Sequence, residues 1–359
     1  MRMHRTFTSI ASAFVLTTSI GLASSASADT ITMKLATGHP PGFHYVAKFK
    51  DYFAPQFISR VEARTEHKAK VLELYSGSAV KVAETLEGLE SGIVDVGGFC
   101  YCFEPAKLPL HGFQVWMPFG PASPIKSVAM ARDVYGETPE LLNVFPEKFN
   151  QKMIGLIVLD PYELISKKPI TKLDDLKGYK VGAAGANLAW FEPTGAVGIQ
   201  SNGATAYTSF QQGVYDSVVL FASFALNGKL YDSGKHYTKL GIGAVTWLAV
   251  HVNKKWYEGL PPEVQEIVLE LGRDYEQVIA MEKEEDYLPT LAAMEKLGVT
   301  MHDLSAEEKA KWADALKGLP QSKATELDGK GFPGTLVAKR ALAAAERHGH
   351  TWPVRYDIK

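Results

Sequence analysis

Short blocks of hydrophobic and polar residues follow one another along the first third of the chain, and their period changes in a regular order. Residues 31–36 alternate with a period of two, which predicts a strand, and the run Gly38–Gly42 ends it. Apolar residues then recur three and four apart over 43–65, which predicts a helix. Residues 71–75, 80–91 and 93–101 predict a second strand, a second helix and a buried third strand.

The same order of elements begins again at residue 154. The predicted strands cover 154–159, 180–184 and 218–221, and the predicted helices between them cover 188–194 and 204–212. A further strand over 245–253 is expected to return the chain to the first group of elements. Strands that alternate with helices imply an α/β fold whose sheets are mostly parallel.

A long helical pattern dominates the last quarter of the chain. It runs from Pro261 to about Leu297, and charged residues recur along it at helical spacing. Such a helix is roughly 50 Å long at about 1.5 Å per residue, so it can span two lobes. Pro289 is expected to kink it. Two more helices are predicted, one from the capping box Ser305–Glu308 to about 317 and one over 333–348.

The chain length favours two lobes. Single hydrophobic cores stop growing at about 250 to 300 residues, and this chain has 359. The restart of the pattern places the division: residues 29–158 plus 246–285 form lobe I, and residues 159–245 plus 286–359 form lobe II. The crossing segments near Leu159 and Val245 are the expected hinge.

The first 28 residues have the layout of a secretory signal. Arg2 and Arg5 precede an apolar run over 10–23, and Ala26-Ser27-Ala28 follows as a cleavage site. A membrane-spanning helix needs about 20 mainly apolar residues, and this run is shorter. The sequence therefore predicts export, cleavage after Ala28 and a periplasmic location.

Charge and motifs exclude several functions. The formal net charge is −2, and a chain without a basic surplus is not expected to bind nucleic acid. The sequence contains no G-x-S-x-G, H-E-x-x-H or P-loop motif, and no G-x-G-x-x-G after a strand. We therefore predict no enzymatic activity, no cofactor and no metal.

The two cysteines, Cys100 and Cys102, are separated by a single residue. On one strand their Cα atoms would be nearly 7 Å apart, a distance that a disulfide bridges only with distortion. The sequence favours buried or cleft-lining thiols. A strained disulfide and half of a soft-metal site are the alternatives.

Several segments together resemble one known family. They include the early strand and turn over 35–42, E-S-G-I-V-D-V-G over 90–97, S-K-K-P-I-T-K-L-D-D-L-K-G-Y-K-V-G over 166–182, F-Q-Q-G-V-Y-D over 210–216 and V-N-K-K-W-Y-E-G-L-P-P-E-V-Q over 252–265. Their order and spacing resemble the solute-binding proteins of TRAP (tripartite ATP-independent periplasmic) transporters. The resemblance implies a two-lobed α/β periplasmic binding protein with a helix spanning both lobes. It also implies a small organic solute as ligand, and a small and a large integral membrane protein as partners.

One position departs from the family pattern. In that family the strand after D-L-K-G usually ends in an arginine that binds a substrate carboxylate. In this chain the matching position is Gly182. Tyr162 occupies the place of a second arginine found in some members. Because a buried carboxylate without a partner costs several kcal/mol, we predict a neutral or cationic ligand, aromatic solutes included. For an amine, Asp160, Glu163 or Glu192 would supply the carboxylate.

The sequence leaves two alternatives to a receptor for a neutral or cationic solute. The protein could bind an organic acid through a non-standard anchor, or it could be a ligand-sensing partner of a signalling receptor.

Candidate binding residues lie where strands end, because open α/β sheets bind ligands at the carboxyl ends of their strands. Most of these residues are aromatic, and ordinary core packing is the alternative for each of them. The predicted ligand-binding residues are His39, Phe99, Cys100, Tyr101, Tyr162, Glu163, Gly182, Asn187, Trp190, Phe221 and Trp247.

Overall fold

The computed structural model describes residues 29–359, so the predicted signal over 1–28 lies outside the described residues. Two sheets organise the described chain. Their strands are β1 (Thr30–Ala36), β2 (Lys68–Leu74), β3 (Val96–Cys100), β4 (Gln151–Ile157), β5 (Tyr162–Ser166), β6 (Lys180–Ala183), β7 (Val197–Gln200), β8 (Ser217–Phe221), β9 (His236–Lys239), β10 (Leu248–Asn253) and β11 (Thr300–Asp303).

Helices cover both sheets. They are α1 (His44–Lys48), which continues through a π-helical turn (Phe49–Phe53) into α2 (Ala54–Arg64), then α3 (Thr85–Glu90), α4 (Phe113–Trp116), α5 (Pro124–Glu137), α6 (Pro139–Lys148), α7 (Ala206–Gln211), α8 (Ala222–Asn227), α9 (Lys254–Glu258), α10 (Pro262–Lys296), α11 (Ala306–Leu316), α12 (Leu319–Asp328) and α13 (Gly334–Arg347). Within residues 29–359 no helix is both long and apolar enough to cross a membrane.

The first sheet has the strand order β2-β1-β3-β10-β4, and the second has the order β11-β9-β5-β8-β6-β7. In the first sheet β1 pairs in parallel with β2 and β3, whereas β10 is antiparallel to β3 and β4. The second sheet is also mixed, because β5 is antiparallel to β8 and β9. The predicted α/β architecture with two mixed sheets flanked by helices is confirmed.

The chain crosses between the sheets in two adjacent segments. Leu159 donates its backbone N–H to Val245 at 3.2 Å, and Tyr162 donates to Gly243 at 3.0 Å. Pro161 and Ala244 form an isolated antiparallel bridge between these hydrogen bonds. The two crossings are therefore joined side by side, where the sequence predicts the hinge.

The helix α10 is the third connection between the lobes. The backbones of β4 and α10 approach closely at two glycines. A Cβ on Gly155 would overlap the Gly272 backbone, and a Cβ on Gly272 would overlap the Ile154 backbone. The far half of α10 contacts α8 and β11 beside the second sheet. α10 continues without a break through Pro289. Because it contacts β4 at one end and α8 and β11 at the other, the predicted long helix does reach both lobes.

The C-terminal segment divides between the lobes. β11 joins the second sheet beside β9. The helices α12 and α13 instead pack with α4 and α5, and they share a core with Ala36 and Phe99 of the first lobe. The structure thus differs from the predicted division for residues 319–347, because the apolar face of α13 is buried against the first lobe. The other boundaries remain predictions.

Candidate functional site

A small cavity lies between the two lobes at the ends of their strands. The first lobe supplies the turn after β1 and the end of β3, and the second supplies the ends of β5, β6, β7 and β8. The lining residues are His39, Phe43, Cys100, Cys102, Phe103, Leu159, Tyr162, Ala183, Ala184, Ser201, Asn202, Gly203, Val218, Val219, Leu220, Phe221, Trp247 and Leu248.

The cavity is too small for an organic solute in this form. The space open to the centre of a water molecule is about 40 Å³, which is enough for only a few waters at about 10 to 15 Å³ each. A ligand the size of one ring therefore requires the lobes to part or the wall to move.

The first-lobe wall is built on a stacked pair of rings. His39 and Phe43 have ring centroids 4.2 Å apart and nearly parallel planes, and both side chains are buried. The Tyr45 hydroxyl lies 2.7 Å from His39 Nδ1 and 2.9 Å from the Thr37 hydroxyl. Burial lowers the pKa of His39 to about 3, so the imidazole is neutral at physiological pH. It presents an uncharged ring to the cavity.

Phe43 extends from the first lobe to the second. Its ring centroid lies 4.3 Å from that of Phe224 and 5.7 Å from that of Phe221. The same ring rests on Gly203, where a Cβ would overlap it. The described structure is thus a closed form, and an aromatic contact crosses the cleft.

Tyr162 belongs to the second-lobe wall of the cavity. Tyr162 lies in edge contact with Trp190 and Phe221, and Trp247 Nε1 donates to its hydroxyl at 3.1 Å. Burial raises the pKa of Tyr162 well above its usual range. Tyr162 therefore stays a neutral hydrogen-bonding group.

Five of the predicted ligand-binding residues line the cavity: His39, Cys100, Tyr162, Phe221 and Trp247. Two others, Phe99 and Tyr101, do not. Phe99 alternates with Cys100 on β3 and so points to the opposite face, where it packs against His251. The Tyr101 hydroxyl lies 2.8 Å from His251 Nε2 in the same first-lobe core.

Glu163 is also directed away from the cavity. It accepts a hydrogen bond from the backbone N–H of Leu240, because alternate residues of β5 face opposite sides of the sheet. Burial raises the pKa of Glu163 to about 8. Two other predicted residues, Asn187 and Trp190, are fully buried next to the wall without lining it. Trp190 Nε1 donates to the backbone carbonyl of Val115 at 2.9 Å.

Gly182 does not leave open space at the family's arginine position. A Cβ on Gly182 would lie 2.9 Å from the Tyr215 ring. The Tyr215 hydroxyl is fixed by the Ser201 hydroxyl at 2.8 Å and by the Ala206 carbonyl at 3.1 Å. The Tyr215 ring therefore occupies the space beside Gly182.

No lysine, arginine, aspartate or glutamate lines this cavity among residues 29–359. Two arginines that could have served as substitute anchors are engaged elsewhere, since Arg60 pairs with Asp274 at 2.7 Å and Arg132 pairs with Glu276.

The carboxylates predicted for an amine ligand are also absent from the wall. Asp160 is paired with Lys283 at 2.8 Å. Glu163 faces Leu240, and Glu192 is exposed. The lining thus gives no support to a cationic ligand.

The cysteines form a disulfide, in contrast to the predicted free thiols. β3 ends at Cys100, and the tight turn Tyr101–Phe103 follows at once. The turn brings the Cα atoms of Cys100 and Cys102 to 5.1 Å, closer than on a continuing strand. Both cysteines line the cavity.

One group of side chains among the described residues could hold a metal ion: His44, Glu282 and Asp286. It lies outside the cavity. Glu282 is already paired with His44 at 2.8 Å and with Lys48 at 2.7 Å, so we assign no metal to it.

Several lining residues were not predicted from the sequence. The apolar spacing predicts Phe43 as the first residue of a helix, although its position just after the first turn also indicates a site residue. Ser201, Asn202 and Gly203 follow β7, a short strand that the hydrophobic pattern does not predict.

The fold is that of a two-lobed α/β binding protein, with a cavity between its lobes. The family model for "Bacterial extracellular solute-binding protein, family 7" matches residues 48–326. The chain belongs to this family.

Curated relatives match over part of their length. The C4-dicarboxylate-binding periplasmic protein DctP of Rhodobacter capsulatus is 30% identical over 182 residues, which is 49% of this chain and 52% of the relative. The chain thus matches about half of that protein. A solute-binding protein of a Sulfitobacter species is 28% identical over 36% of this chain and 39% of its own length.

Solved structures share the fold over most of the chain. A marine metagenome TRAP solute-binding protein described as specific for aromatic acid ligands, solved with 3-hydroxybenzoate, has a TM-score of 0.78. It is 19% identical, and the match covers 89% of this chain and 99% of that one. A Bordetella pertussis extracytoplasmic solute receptor binding pyroglutamic acid has a TM-score of 0.76 at 18% identity, covering 88% and 99% of the two chains.

Proposed function

We propose that this protein is an extracytoplasmic receptor that captures a small organic solute between its lobes and delivers it to the membrane subunits of a TRAP-type transporter. The observation that carries the proposal is the cavity, to which both lobes contribute strand ends and aromatic side chains. A site divided in this way is complete only when the lobes are closed. Ligand contacts to both lobes would therefore favour the closed form.

The proposed ligand is flat, neutral and mainly apolar. The rings of His39, Phe43, Phe221 and Trp247 offer stacking and edge contacts, worth about 0.5 to 1.5 kcal/mol each beyond burial. The polar groups on the wall are neutral hydrogen-bonding groups. An ionised carboxylate placed here would lose its hydration without gaining a cation, at a cost of several kcal/mol.

An organic acid is the second candidate, and the comparisons favour it. The relatives are described as binding a C4-dicarboxylate, an aromatic acid and pyroglutamic acid. An acid would need a non-standard anchor here, built from neutral donors such as the Asn202 amide rather than from a guanidinium. Neutral donors give weaker hydrogen bonds to an anion than a bidentate arginine does.

We propose that closure uses the paired crossings around Pro161 and Ala244 as a hinge. Gly241 and Gly243 precede Ala244 in the second crossing and have positive φ angles of 76° and 103°. Glycine adopts such angles without the strain that other residues incur. The closed surface would be the form that a small and a large membrane subunit recognise. A sensing role beside a signalling receptor would use the same closure with a different partner.

Export and location belong to the same proposal. We propose that the signal over 1–28 is cleaved after Ala28 and that the mature protein works in the periplasm. The mass of the protein recovered from the periplasm of an expressing cell, compared with a chain starting at Asp29, checks the cleavage site.

Isothermal titration of the purified mature protein tests the ligand class. The panel contains neutral aromatic solutes, amines, C4-dicarboxylates and 3-hydroxybenzoate. We expect heat of binding and a smaller radius of gyration in X-ray scattering with a neutral flat solute. Tight binding of the dicarboxylates alone would refute the neutral class and leave the receptor function intact. The absence of binding for every compound would count against the receptor function itself.

A further inference from the structure

The Asn187 side chain is fully buried, yet it is poorly accommodated as a core residue. Its relative exposure is 0%, and neither its amide nitrogen nor its amide oxygen makes a hydrogen bond of normal geometry within the described chain. Among residues 29–359 it is the one side chain in which two buried polar atoms lack such a bond. Unpaired buried polar groups are unfavourable and rare, so each of them calls for a reason.

The backbone places this amide beside the ligand cavity. Asn187 lies in the 3₁₀ turn Gly185–Trp190, and its N–H donates to the Ala184 carbonyl at 2.9 Å. Ala184 and Tyr162 both line the cavity. Burial raises the pKa of Tyr162, and the side chains of Trp247 and Asn187 oppose this rise as hydrogen-bond partners of its hydroxyl. The Asn187 amide therefore lies beside the Tyr162 hydroxyl, although outside normal hydrogen-bond geometry. A solute whose polar edge reaches Tyr162 therefore comes within reach of Asn187.

An asparagine amide has a donor and an acceptor side by side. A carboxylate has acceptors alone, so it would pair with the nitrogen and place a negative charge against the oxygen. A ring with a cis-amide edge carries an N–H and a C=O in the complementary order. It would satisfy both atoms through two parallel hydrogen bonds and remain neutral.

We propose, resting on the receptor function above, that Asn187 is a specificity-determining residue that recognises solutes with a cis-amide edge, such as lactams and pyridones. The flat apolar walls pack against the ring of the solute, and the Asn187 amide forms hydrogen bonds with its polar edge. This deepens the neutral ligand class to one chemical group.

The test compares 2-pyridone with N-methyl-2-pyridone, which has the same ring but no N–H. We expect the wild-type protein to bind 2-pyridone at least about tenfold more tightly by isothermal titration, because the methyl group leaves Asn187 Oδ1 unpaired. In Asn187→Leu the preference should fall to less than about threefold. Equal binding of both compounds to wild type, or a preference kept in the variant, would overturn the proposal.

Stability without solute provides an independent readout. Replacing an unpaired buried amide by an apolar group of similar size is neutral or stabilising, so the unfolding midpoint of Asn187→Leu should be unchanged or higher. The matched control is Asn253→Leu. The Asn253 amide is also buried but donates to the Leu89 carbonyl at 2.6 Å and accepts from the Trp256 N–H at 2.8 Å, so its loss should lower the midpoint. A similar fall in Asn187→Leu would show a structural amide and refute the proposal.

The receptor function can be judged separately. If the wild-type protein binds other neutral solutes or 3-hydroxybenzoate but neither pyridone, the cis-amide class is wrong and the receptor function stands. Binding of none of these compounds would overturn both proposals.

Discussion

The Phe43 ring of the first lobe lies directly on Gly203 of the second. A Cβ on Gly203 would overlap this ring, so closure in this form requires glycine at position 203. The ring is supported by His39, which stacks on it at a centroid distance of 4.2 Å. This part of the contact between the lobes thus depends on the Phe43 ring, the His39 imidazole stacked on it and the absence of a side chain at Gly203.

We expect Gly203→Ala to disfavour the closed form. The added methyl group must displace Phe43 or keep the lobes apart, and overpacking of this kind typically costs about 1 to 3 kcal/mol. The radius of gyration of the free protein in X-ray scattering should increase. A solute that binds wild type should lose about tenfold or more in affinity, since about 1.4 kcal/mol corresponds to a factor of ten.

Two further variants control this experiment. Gly185→Ala places a methyl group beside the same region, but its nearest neighbour would be Gln200 at 3.7 Å, an ordinary contact, so it should behave as wild type. Phe43→Ala combined with Gly203→Ala removes the clash and should restore closure. If Gly203→Ala alone keeps the wild-type radius and affinity, Phe43 does not limit closure.

The contact between Gly182 and Tyr215 predicts what happens when the family's arginine is restored. Gly182→Arg should not create a carboxylate site, because its Cβ alone would lie 2.9 Å from the Tyr215 ring. We expect a loss of unfolding free energy of about 3 kcal/mol in urea titrations, at the upper end for overpacking. The C4-dicarboxylates should not bind to this variant.

A second substitution tests whether steric overlap with the Tyr215 ring causes the loss of stability. Tyr215→Ala in the Gly182→Arg background vacates the ring's volume and should recover part of the lost stability. Tyr215→Ala alone should be destabilising, because it removes a ring held by two hydrogen bonds. If Gly182→Arg is as stable as wild type and binds dicarboxylates, the glycine is not a packing requirement.

The sequence predicts the plan of the fold because the relevant signals are local. The period-two pattern over 31–36, the apolar run over 93–101 and the charged helical pattern from Pro261 to about Leu297 each predict one element. Short strands such as β7 and β9 are different. Four residues carry too little periodicity to identify a strand, and these strands exist because their neighbours in the sheet pair with them.

The candidate site is only partly predictable for a related reason. Topology tells which strands end at the cleft, and that is enough to find His39, Tyr162 and Trp247. It does not tell which face a residue takes where a strand ends. The prediction therefore includes both members of two neighbouring pairs, Tyr162 with Glu163 and Cys100 with Phe99, although only Tyr162 and Cys100 line the cavity. The turn that brings Cys102 back to Cys100 likewise depends on where β3 stops.

A buried ion pair between the second lobe and the connecting helix gives a stability prediction. Asp160 and Lys283 are 2.8 Å apart, with side-chain exposures of 3% and 4%. Lys283 also donates to the Ser223 hydroxyl at 2.6 Å. Lys283→Met should lower the unfolding free energy by about 3 to 5 kcal/mol in urea, because Asp160 is left charged and buried without its partner.

The double variant and a surface pair provide the controls. Asp160→Asn together with Lys283→Met removes both charges, and most of the lost stability should return. Lys48→Met breaks the Lys48–Glu282 pair, whose side chains are 26% and 30% exposed, so it should cost less than about 1 kcal/mol. Equal effects of Lys283→Met and Lys48→Met would show that the Asp160 pair contributes no more than a surface one.

The buried carboxyl of Glu163 should make stability fall as pH rises. Burial raises its pKa to about 8 in the folded protein, against an ordinary value of about 4.3 in the unfolded chain. The folded state therefore holds this proton more tightly. Its contribution to stability is complete below about pH 4 and is lost progressively as pH rises to about 8.

We expect Glu163→Gln, which keeps an acceptor for the Leu240 N–H, to remove this dependence. The variant and wild type should be similar in unfolding free energy near pH 4, and the variant should be more stable at pH 8 by up to about 4 kcal/mol. The neutral His39 titrates in the opposite sense, since its pKa of about 3 makes stability fall with falling pH. Taking the difference between the two proteins cancels this effect. Exposed Glu90→Gln corrects for the loss of one negative charge, and a difference curve for Glu163→Gln as flat as that of Glu90→Gln would mean that Glu163 is not held protonated by the fold.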